Sequence, residues 1–581
     1  MRSIILFIIL FPPILLCSLS FIQLSDHDIP GVSQSSIDWG DYDNDGNLDL
    51  LVTGVTSSAG RISRVYMNSS DGILTYQENI SLVDVSWNSG LWADYTNNGH
   101  LDIVISGLTN ESQLVTKIFN NNGDGTFTEN TAVNLPGTRE GSLNWVDFNN
   151  NGWLDLFITG YAGTELGNIA RLYQNNGDGT FTWREEFEFP GIRYSDSVWG
   201  DLNNNGYPDL IIAGRHDNMR ITKLYINNLG NGFELQDDSG LPGVESGSLS
   251  LGDYNNDGLL DILITGTEVG VTRISRVYKN NGDGTFSNIA NFDGVAYSDA
   301  IWVDINNNGL LDVAYCGAIS GVSGVTAVLT AKLFLNNGNE TFSEVTDFEP
   351  TGLSNSTISA VDINNNGKTD LIITGMISST EREFNIYMNQ IDIENSIPAP
   401  PQILHTIVGE ENVTFQWSNG LDAETPLNGL SYNVWLKQLN SPNLQLMAPM
   451  ADLNSGFRKV GRPGNAGYSN SFVITGLPDG QYEWAVQTID SAYAGSMFSE
   501  WQTFNFPDQY LPAPSNVSLI REGSDFILSW DIIEDANHYK IYGSEDPYSE
   551  QWEYLDMTID NEWVVSIYHQ LYFFRVVAVV D

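Results

Sequence analysis

Seven stretches of this 581-residue chain set acidic and amide side chains at alternate positions around a single glycine. They read DYDNDGNLD from residue 41, DYTNNGHLD from 94, DFNNNGWLD from 147, DLNNNGYPD from 201, DYNNDGLLD from 253, DINNNGLLD from 304 and DINNNGKTD from 362. A hard cation taking roughly six to eight oxygens needs side-chain oxygens at positions 1, 3 and 5, a backbone carbonyl at 7 and a further carboxylate at 9. Glycine at position 6 permits the sharp turn that brings those oxygens to one point. The expected ligand sets are Asp41, Asp43, Asp45, Asn47 and Asp49 in loop 1, and Asp94, Thr96, Asn98, His100 and Asp102 in loop 2. Loop 3 offers Asp147, Asn149, Asn151, Trp153 and Asp155; loop 4 offers Asp201, Asn203, Asn205, Tyr207 and Asp209. Loop 5 offers Asp253, Asn255, Asp257, Leu259 and Asp261; loop 6 offers Asp304, Asn306, Asn308, Leu310 and Asp312. Loop 7 offers Asp362, Asn364, Asn366, Lys368 and Asp370, and in every loop position 7 serves through its backbone. A plain Asn-Gly hairpin turn explains the glycine without metal. It does not need Asp at positions 1 and 9, which all seven loops keep. The expected cofactor is calcium, up to seven ions.

Elements that could hold such loops must recur with them. The loops are spaced by 53, 53, 54, 52, 51 and 58 residues, a period that signals a repeat architecture. Trp stands two residues before the first Asp in five copies (Trp39, Trp92, Trp145, Trp199, Trp302) and is read as core packing. An apolar run closed by Gly follows each loop, then an aromatic-centred strand, as in RLYQNNGDGTF from residue 171. NNGDGTF lacks a spaced terminal carboxylate and is read as the turn between third and fourth strands. Four β-like runs per repeat make one blade of a β-propeller, so seven repeats predict seven blades. The seventh repeat stops near residue 390 without a fourth strand, and FIQLS at 21 to 25 is expected to supply it, clasping the ring.

Bulk composition limits the partners. With 24 Lys plus Arg against 73 Asp plus Glu, the formal charge is −49. That excess opposes nucleic acid and anionic membrane surfaces. Apolar residues at 41% and aromatics at 11% exclude a disordered chain. Residues 1–20, with Arg2 before the apolar Ile4 to Leu16, are read as a signal peptide. No later stretch reaches the roughly 18 apolar residues of a membrane span. Removal of Cys17 with that peptide leaves Cys316 alone, so no intrachain disulfide is expected. The protein is expected to be secreted or held at the cell surface, with metal in place of disulfides as a stabiliser.

The repeats resemble the FG-GAP/VCBS family, whose best-known members form the seven-bladed head of integrin α subunits. The resemblance covers about residues 21–390. It implies metal loops between first and second strands, on the face opposite the usual ligand surface. Unlike integrins, this chain repeats the loop in every blade and shows no C-terminal span. After a proline-rich linker at 391–400, residues 401–507 and 508–581 resemble fibronectin type III domains. Leu477, Pro478 and Tyr482 match the tyrosine corner of the first, with Trp417 in its core; Trp530 and Tyr539 mark the second. The expected fold class is thus all-β: a seven-bladed propeller and two type III-like sandwiches.

None of the six His recurs with the repeats, and no nucleophile elbow, HExxH or phosphate loop is present, so no enzyme is expected. The reading is a calcium-binding adhesion or recognition protein whose partner is an extracellular protein or glycan, with the sandwiches as spacer. The alternative is a carbohydrate-binding propeller associated with polysaccharide degradation, a lyase-like enzyme being the weaker form. Arg193, Tyr194, Arg215 and His216 are candidates on the ligand face.

Overall fold

The computed structural model describes residues 19–25, 27–58, 60–321, 327–409, 411–439, 445–506, 514–522, 525–533, 536–544, 553–565 and 573–579. The signal-peptide reading falls almost wholly on residues 1–18, outside the described residues. Described residues form strands, turns and two short 3-10 turns, and the protein is all-β.

Strand pairing sorts the repeats into seven antiparallel units. Sheet 1 comprises Val32–Gly40, Asp49–Thr56, Arg61–Asn68 and Leu74–Tyr76. Sheet 2 comprises Val85–Ser86 with Gly90–Ala93, Asp102–Thr109, Leu114–Asn121 and Phe127–Glu129. Sheet 3 comprises Leu143–Val146, Asp155–Tyr161, Asn168–Asn175 and Phe181–Trp183. Sheet 4 comprises Arg193–Gly200, Asp209–His216, Met219–Asn227 and Phe233–Gln236. Sheet 5 comprises Leu249–Gly252, Asp261–Thr267 and Arg273–Asn280, closed by the first half of the long strand Phe286–Val303. That strand's second half opens sheet 6, which continues with Asp312–Ser320, Val328–Asn336 and Phe342–Glu344. Sheet 7 comprises Ser354–Val361, Asp370–Met376 and Arg382–Asn389. Its fourth strand is Phe21–Leu24, paired antiparallel from Phe21↔Asn389 to Leu24↔Ile386, as the clasp requires.

Second strands are apolar on both faces because both faces are covered. In Asp49–Thr56, Leu50 and Val52 enter a core shared with Ile372, Phe384 and Ile386 of sheet 7. Leu51, pointing the other way, enters a core with Trp92, Ile103 and Ile105 of sheet 2. Sheet 1 therefore packs on sheet 2 and on sheet 7.

Residues 404–506 pair into a three-stranded sheet (Leu404–Val408, Asn412–Trp417, Ser471–Thr475) and a four-stranded one (Gln445–Met447, Ser431–Gln438, Gly480–Ile489, Gln502–Phe506). Trp417, Phe415, Tyr482 and Trp484 fill the space between them. The Tyr482 hydroxyl donates to the Pro478 carbonyl. From 518 onward two three-stranded sheets enclose a smaller core with Trp530 against Tyr539.

Candidate functional site

Each loop joins a first strand to a second strand, and the Asp at position 9 is the first residue of that second strand in all seven units. At position 1, carboxylate Oδ1 accepts the N–H of position 5 at 2.9–3.0 Å. Its Oδ2 accepts the N–H of the glycine at 2.6–3.2 Å. The glycines have φ between +73° and +89°, a left-handed conformation that L side chains rarely adopt. At position 9, Oδ1 accepts the N–H of the Asn ending the third strand at 2.7–2.8 Å. In loop 1 the carboxylate oxygens of Asp41, Asp43 and Asp49 lie within 4.8 Å of one another.

These oxygens fit a hard cation. The position-3 amide oxygens of Asn149, Asn306 and Asn364 are buried without a hydrogen-bond partner, as is Oδ2 of Asp261. A buried acceptor without a donor costs about 1–3 kcal/mol, and a cation bound there would supply the missing partner. Burial also lifts the loop carboxyls: Asp41, Asp94 and Asp253 to about 6, Asp209 and Asp370 to about 7, and Asp49 to about 9. A bound divalent ion would favour the ionised forms. Loop 2 differs. Its Thr96 hydroxyl bridges Oδ1 of Asp94 at 3.5 Å and Oδ2 of Asp102 at 3.2 Å, and the nearly buried ammonium of Lys459 donates to the Gly99 carbonyl at 2.8 Å.

Two asparagines that the loop reading passed over tie the units together. The residue at position 4 is Asn in every loop, at φ between +52° and +62°. Its Nδ2 donates to the glycine carbonyl of the next loop, from Asn44 to Gly99 onward, and Asn365 returns to Gly46. The Asn at the end of each third strand (Asn68, Asn121, Asn175, Asn227, Asn280, Asn336, Asn389) donates to the position-2 carbonyl of the preceding loop at 2.7–2.9 Å. Both circuits close between loops 7 and 1. The signal was present in the sequence as an unvarying Asn at position 4 and as the first Asn of NNGDGTF, which does more than turn the chain.

The first sandwich packs against the loops, which differs from the separate spacer expected for it. Asp41 N–H donates to the Lys459 carbonyl at 3.0 Å, and Thr475 N–H to the Asn150 carbonyl at 2.8 Å. The Ser491 hydroxyl donates to Asp304 Oδ2 at 2.7 Å. A Cβ on Gly152 would lie 2.1 Å from the Leu446 carbonyl oxygen, so the backbones touch. The linker joins in, with Asn395 N–H donating to the Gly367 carbonyl at 2.9 Å.

Seven residues before each loop, at the other end of the first strand, stands a second ring of equivalents: Gln34, Trp87, Glu140, Tyr194, Ser246, Tyr297 and Asn355. None is Gly, yet all have φ between +43° and +71°. Backbone bonds link them in series, Trp87 N–H to the Gln34 carbonyl at 3.0 Å and Ser246 N–H to the Tyr194 carbonyl at 2.9 Å. They rim a cavity of about 850 Å³ lined from all seven units, with Gly461 and Tyr493 of the sandwich at its loop-side end. Of the ligand-face candidates, Arg193 and Arg215 flank Tyr194, their guanidinium carbons 5.1 and 5.5 Å from its ring centre. His216 Nδ1 pairs with the Gly191 carbonyl.

The FG-GAP-like repeat family matches residues 41–105, 94–158, 147–212 and 201–264, so four FG-GAP-like repeats lie within 41–264, each match opening on the first Asp of a loop. No curated protein matches the chain. Among solved structures, the FN1–FN3 domains of chicken CNTN1 align at 14% identity and a TM-score of 0.21, covering 48% of this chain and 92% of that one. A cytokine receptor complex aligns at 16% identity and a TM-score of 0.16, covering 31% and 91%. Superpositions this loose do not bear on the architecture. No helix among the described residues is long and apolar enough to cross a membrane.

Proposed function

We propose that residues 21–390 form a seven-bladed, calcium-stabilised β-propeller, that 401–507 and 508–581 are type III-like sandwiches, and that the protein is exported and acts in extracellular recognition or adhesion. The observation that carries the reading is the set of seven acidic loops at one period, whose first carboxylates are all held by the same two backbone N–H groups. Loop-to-loop bonds that return from Asn365 to Gly46 support a closed ring. The four FG-GAP-like repeats agree with an extracellular binding role. Calcium would be held by the side-chain oxygens of positions 1, 3 and 5, the position-7 carbonyl and the position-9 carboxylate, and its part would be to stiffen one face of the disc. The three-plus-four strand packing and the Tyr482 to Pro478 bond support the type III reading of the first sandwich.

The test has two arms on the chain without its signal peptide. Calcium titration by calorimetry should show uptake of several ions, and its absence would remove the metal from the proposal. Binding to immobilised extracellular-matrix proteins and glycans should be saturable with calcium and weakened by chelator. Binding to neither would overturn recognition.

A further inference from the structure

Loop 2 departs from the other six loops in two independent respects. At position 3 the others carry Asp or Asn, whose oxygens accept, whereas loop 2 carries Thr96. The Thr96 hydroxyl lies 3.2 Å from Asp102 Oδ2 and 3.5 Å from Asp94 Oδ1. It thus links with a proton the two carboxylates that an ion would link with its charge. In loops 3, 6 and 7 the position-3 amide oxygen is instead buried and has no donor. The second respect is what covers the loop. Asn97, only 3% exposed, is held by the first sandwich at both ends of its amide: Nδ2 donates to the Leu446 carbonyl at 3.2 Å, and Oδ1 accepts the Ala448 N–H at 3.0 Å. The Lys459 ammonium donates to the Gly99 carbonyl, and the Arg462 guanidinium to the Trp92 carbonyl at 2.7 Å, just before the loop. The sandwich meets loops 1, 3 and 6 through backbone groups and the hydroxyls of Thr475 and Ser491. Lys459 is 9% exposed, and the carboxylate that acts on its charge most is Asp94, followed by Asp41 and Asp452. Lys279, 3.6 Å from Asp257 of loop 5, is a different case, since its side chain is 30% exposed and screened by solvent.

We infer that loop 2 takes no calcium at concentrations that fill its neighbours and serves instead as the socket that seats the first sandwich on the ring, with Lys459 as its permanent cation. The inference rests on the calcium reading of the other loops. An ion entering loop 2 would have to turn the Thr96 hydroxyl away from both carboxylates and give up an anionic or amide ligand at position 3. It would also bring two positive charges beside a buried ammonium, where water screens poorly. Lys459 in its place gives the Gly99 carbonyl a charge-assisted bond whose cation belongs to the chain and cannot be chelated. One repeat of the array has thereby exchanged a metal site for a contact between domains.

Native mass spectrometry of the signal-free chain in saturating calcium counts the bound ions directly. The wild type should hold no more than six, one for each remaining loop. Asp94→Asn should leave its count unchanged, while Asp147→Asn in loop 3 should lower it by one. Thr96→Asp combined with Lys459→Met should gain one ion, and Lys279→Met, which removes the lysine beside loop 5, should gain none. Hydrogen exchange reads the seat itself. Lys459→Met should speed exchange of the Ala448 N–H by about tenfold, and Lys459→Arg, which keeps the charge, should preserve its protection. Seven ions on the wild type, or a count lowered by Asp94→Asn, overturns the metal-free loop and leaves the calcium reading standing; both are read without the double variant, should it fail to fold. Unchanged exchange in Lys459→Met overturns the lysine's part in the socket. No ions on any of these chains overturns the calcium reading and this inference with it.

Discussion

The two asparagine circuits make unequal demands on their residues. Asn227 is buried and bonds to the Phe148 and Pro208 carbonyls and to Gly230 N–H. Asn204 is exposed and makes one bond, to the Gly258 carbonyl. Asn227→Ala, which strands two buried carbonyls, should cost about 3 kcal/mol, and Asn204→Ala less than about 1 kcal/mol. Urea unfolding would measure both, and equal effects would deny the third-strand Asn its place as the principal clamp. Charge ranks the loops themselves. Loop 1 holds four carboxylates (Asp41, Asp43, Asp45, Asp49) and should bind calcium most tightly, with loop 5 next at three. Loop 2 should be weakest, since Thr96 replaces an Asp or Asn and Lys459 adds a positive charge beside it. Thr96→Asp should raise loop 2 affinity in a calorimetric titration, while Asp45→Ala should remove the tightest phase; a tight phase that survives Asp45→Ala reverses the ranking.

At the level of elements, the fourth strand of sheet 7 comes from the other end of the repeats. Its four residues bridge Phe21 to Phe348 and Leu24 to the core shared by sheets 1 and 7. A chain starting at residue 26 would bare the edge of sheet 7 and loosen it from sheet 1. Its melting temperature should fall by several degrees or more, and a melt matching that of the chain from residue 21 would show that the clasp contributes nothing. The loops also impose a pH dependence. Without metal, burial raises the carboxyls of Asp41, Asp94 and Asp253 to about 6 and those of Asp209 and Asp370 to about 7, against 3.8 for a free Asp side chain. The folded state then holds protons that the unfolded chain has released, so stability in chelator falls as pH rises from about 4 to about 7. Saturating calcium should reverse the trend, because protons compete with the ion for the same oxygens. Melting curves at pH 5 and 7.5, with and without chelator, check both signs. A chelated protein more stable at pH 7.5 would mean these carboxyls are not buried as described.

For the whole molecule, the consequence of the loops depends on what sits over them. If each site has a dissociation constant of about 10⁻⁴ to 10⁻³ M, calcium at ten times that value adds roughly 1.4 kcal/mol per loop. Seven independent loops would sum to about 10 kcal/mol, an upper bound comparable to the stability of a typical domain. Chelation should therefore lower the ring's melting transition by tens of degrees. Read as separate modules, residues 398–581 would melt without regard to calcium. The bonds from Lys459, Thr475 and Ser491 to loops 1, 2, 3 and 6 change that expectation. The first sandwich should shift with the ring, leaving only the unit from 514 to 579 insensitive. Calorimetry with calcium and with chelator would separate these cases, and a sandwich transition indifferent to calcium would show that its docking is not coupled to the loops.

Local rules were enough to read the repeats. Period, turn glycines, alternating oxygens and the four β-like runs are all properties of short stretches, and short stretches determine strands and turns by sterics and burial pattern. The missing strand near residue 390 was equally legible, because an incomplete repeat at one end matches a surplus strand at the other. What the sequence left open lies between elements. Nothing in DFNNNG says that its fourth residue reaches the next loop, since that bond spans about one full repeat. The rim formed by Trp87, Glu140 and Tyr194 joins residues of three consecutive sheets more than a hundred positions apart, which no single stretch of sequence brings together. The docking of the sandwich onto the loops was equally hidden. It depends on the shape of two assembled surfaces, and shape at that scale is a property of the packed tertiary structure rather than of any one segment.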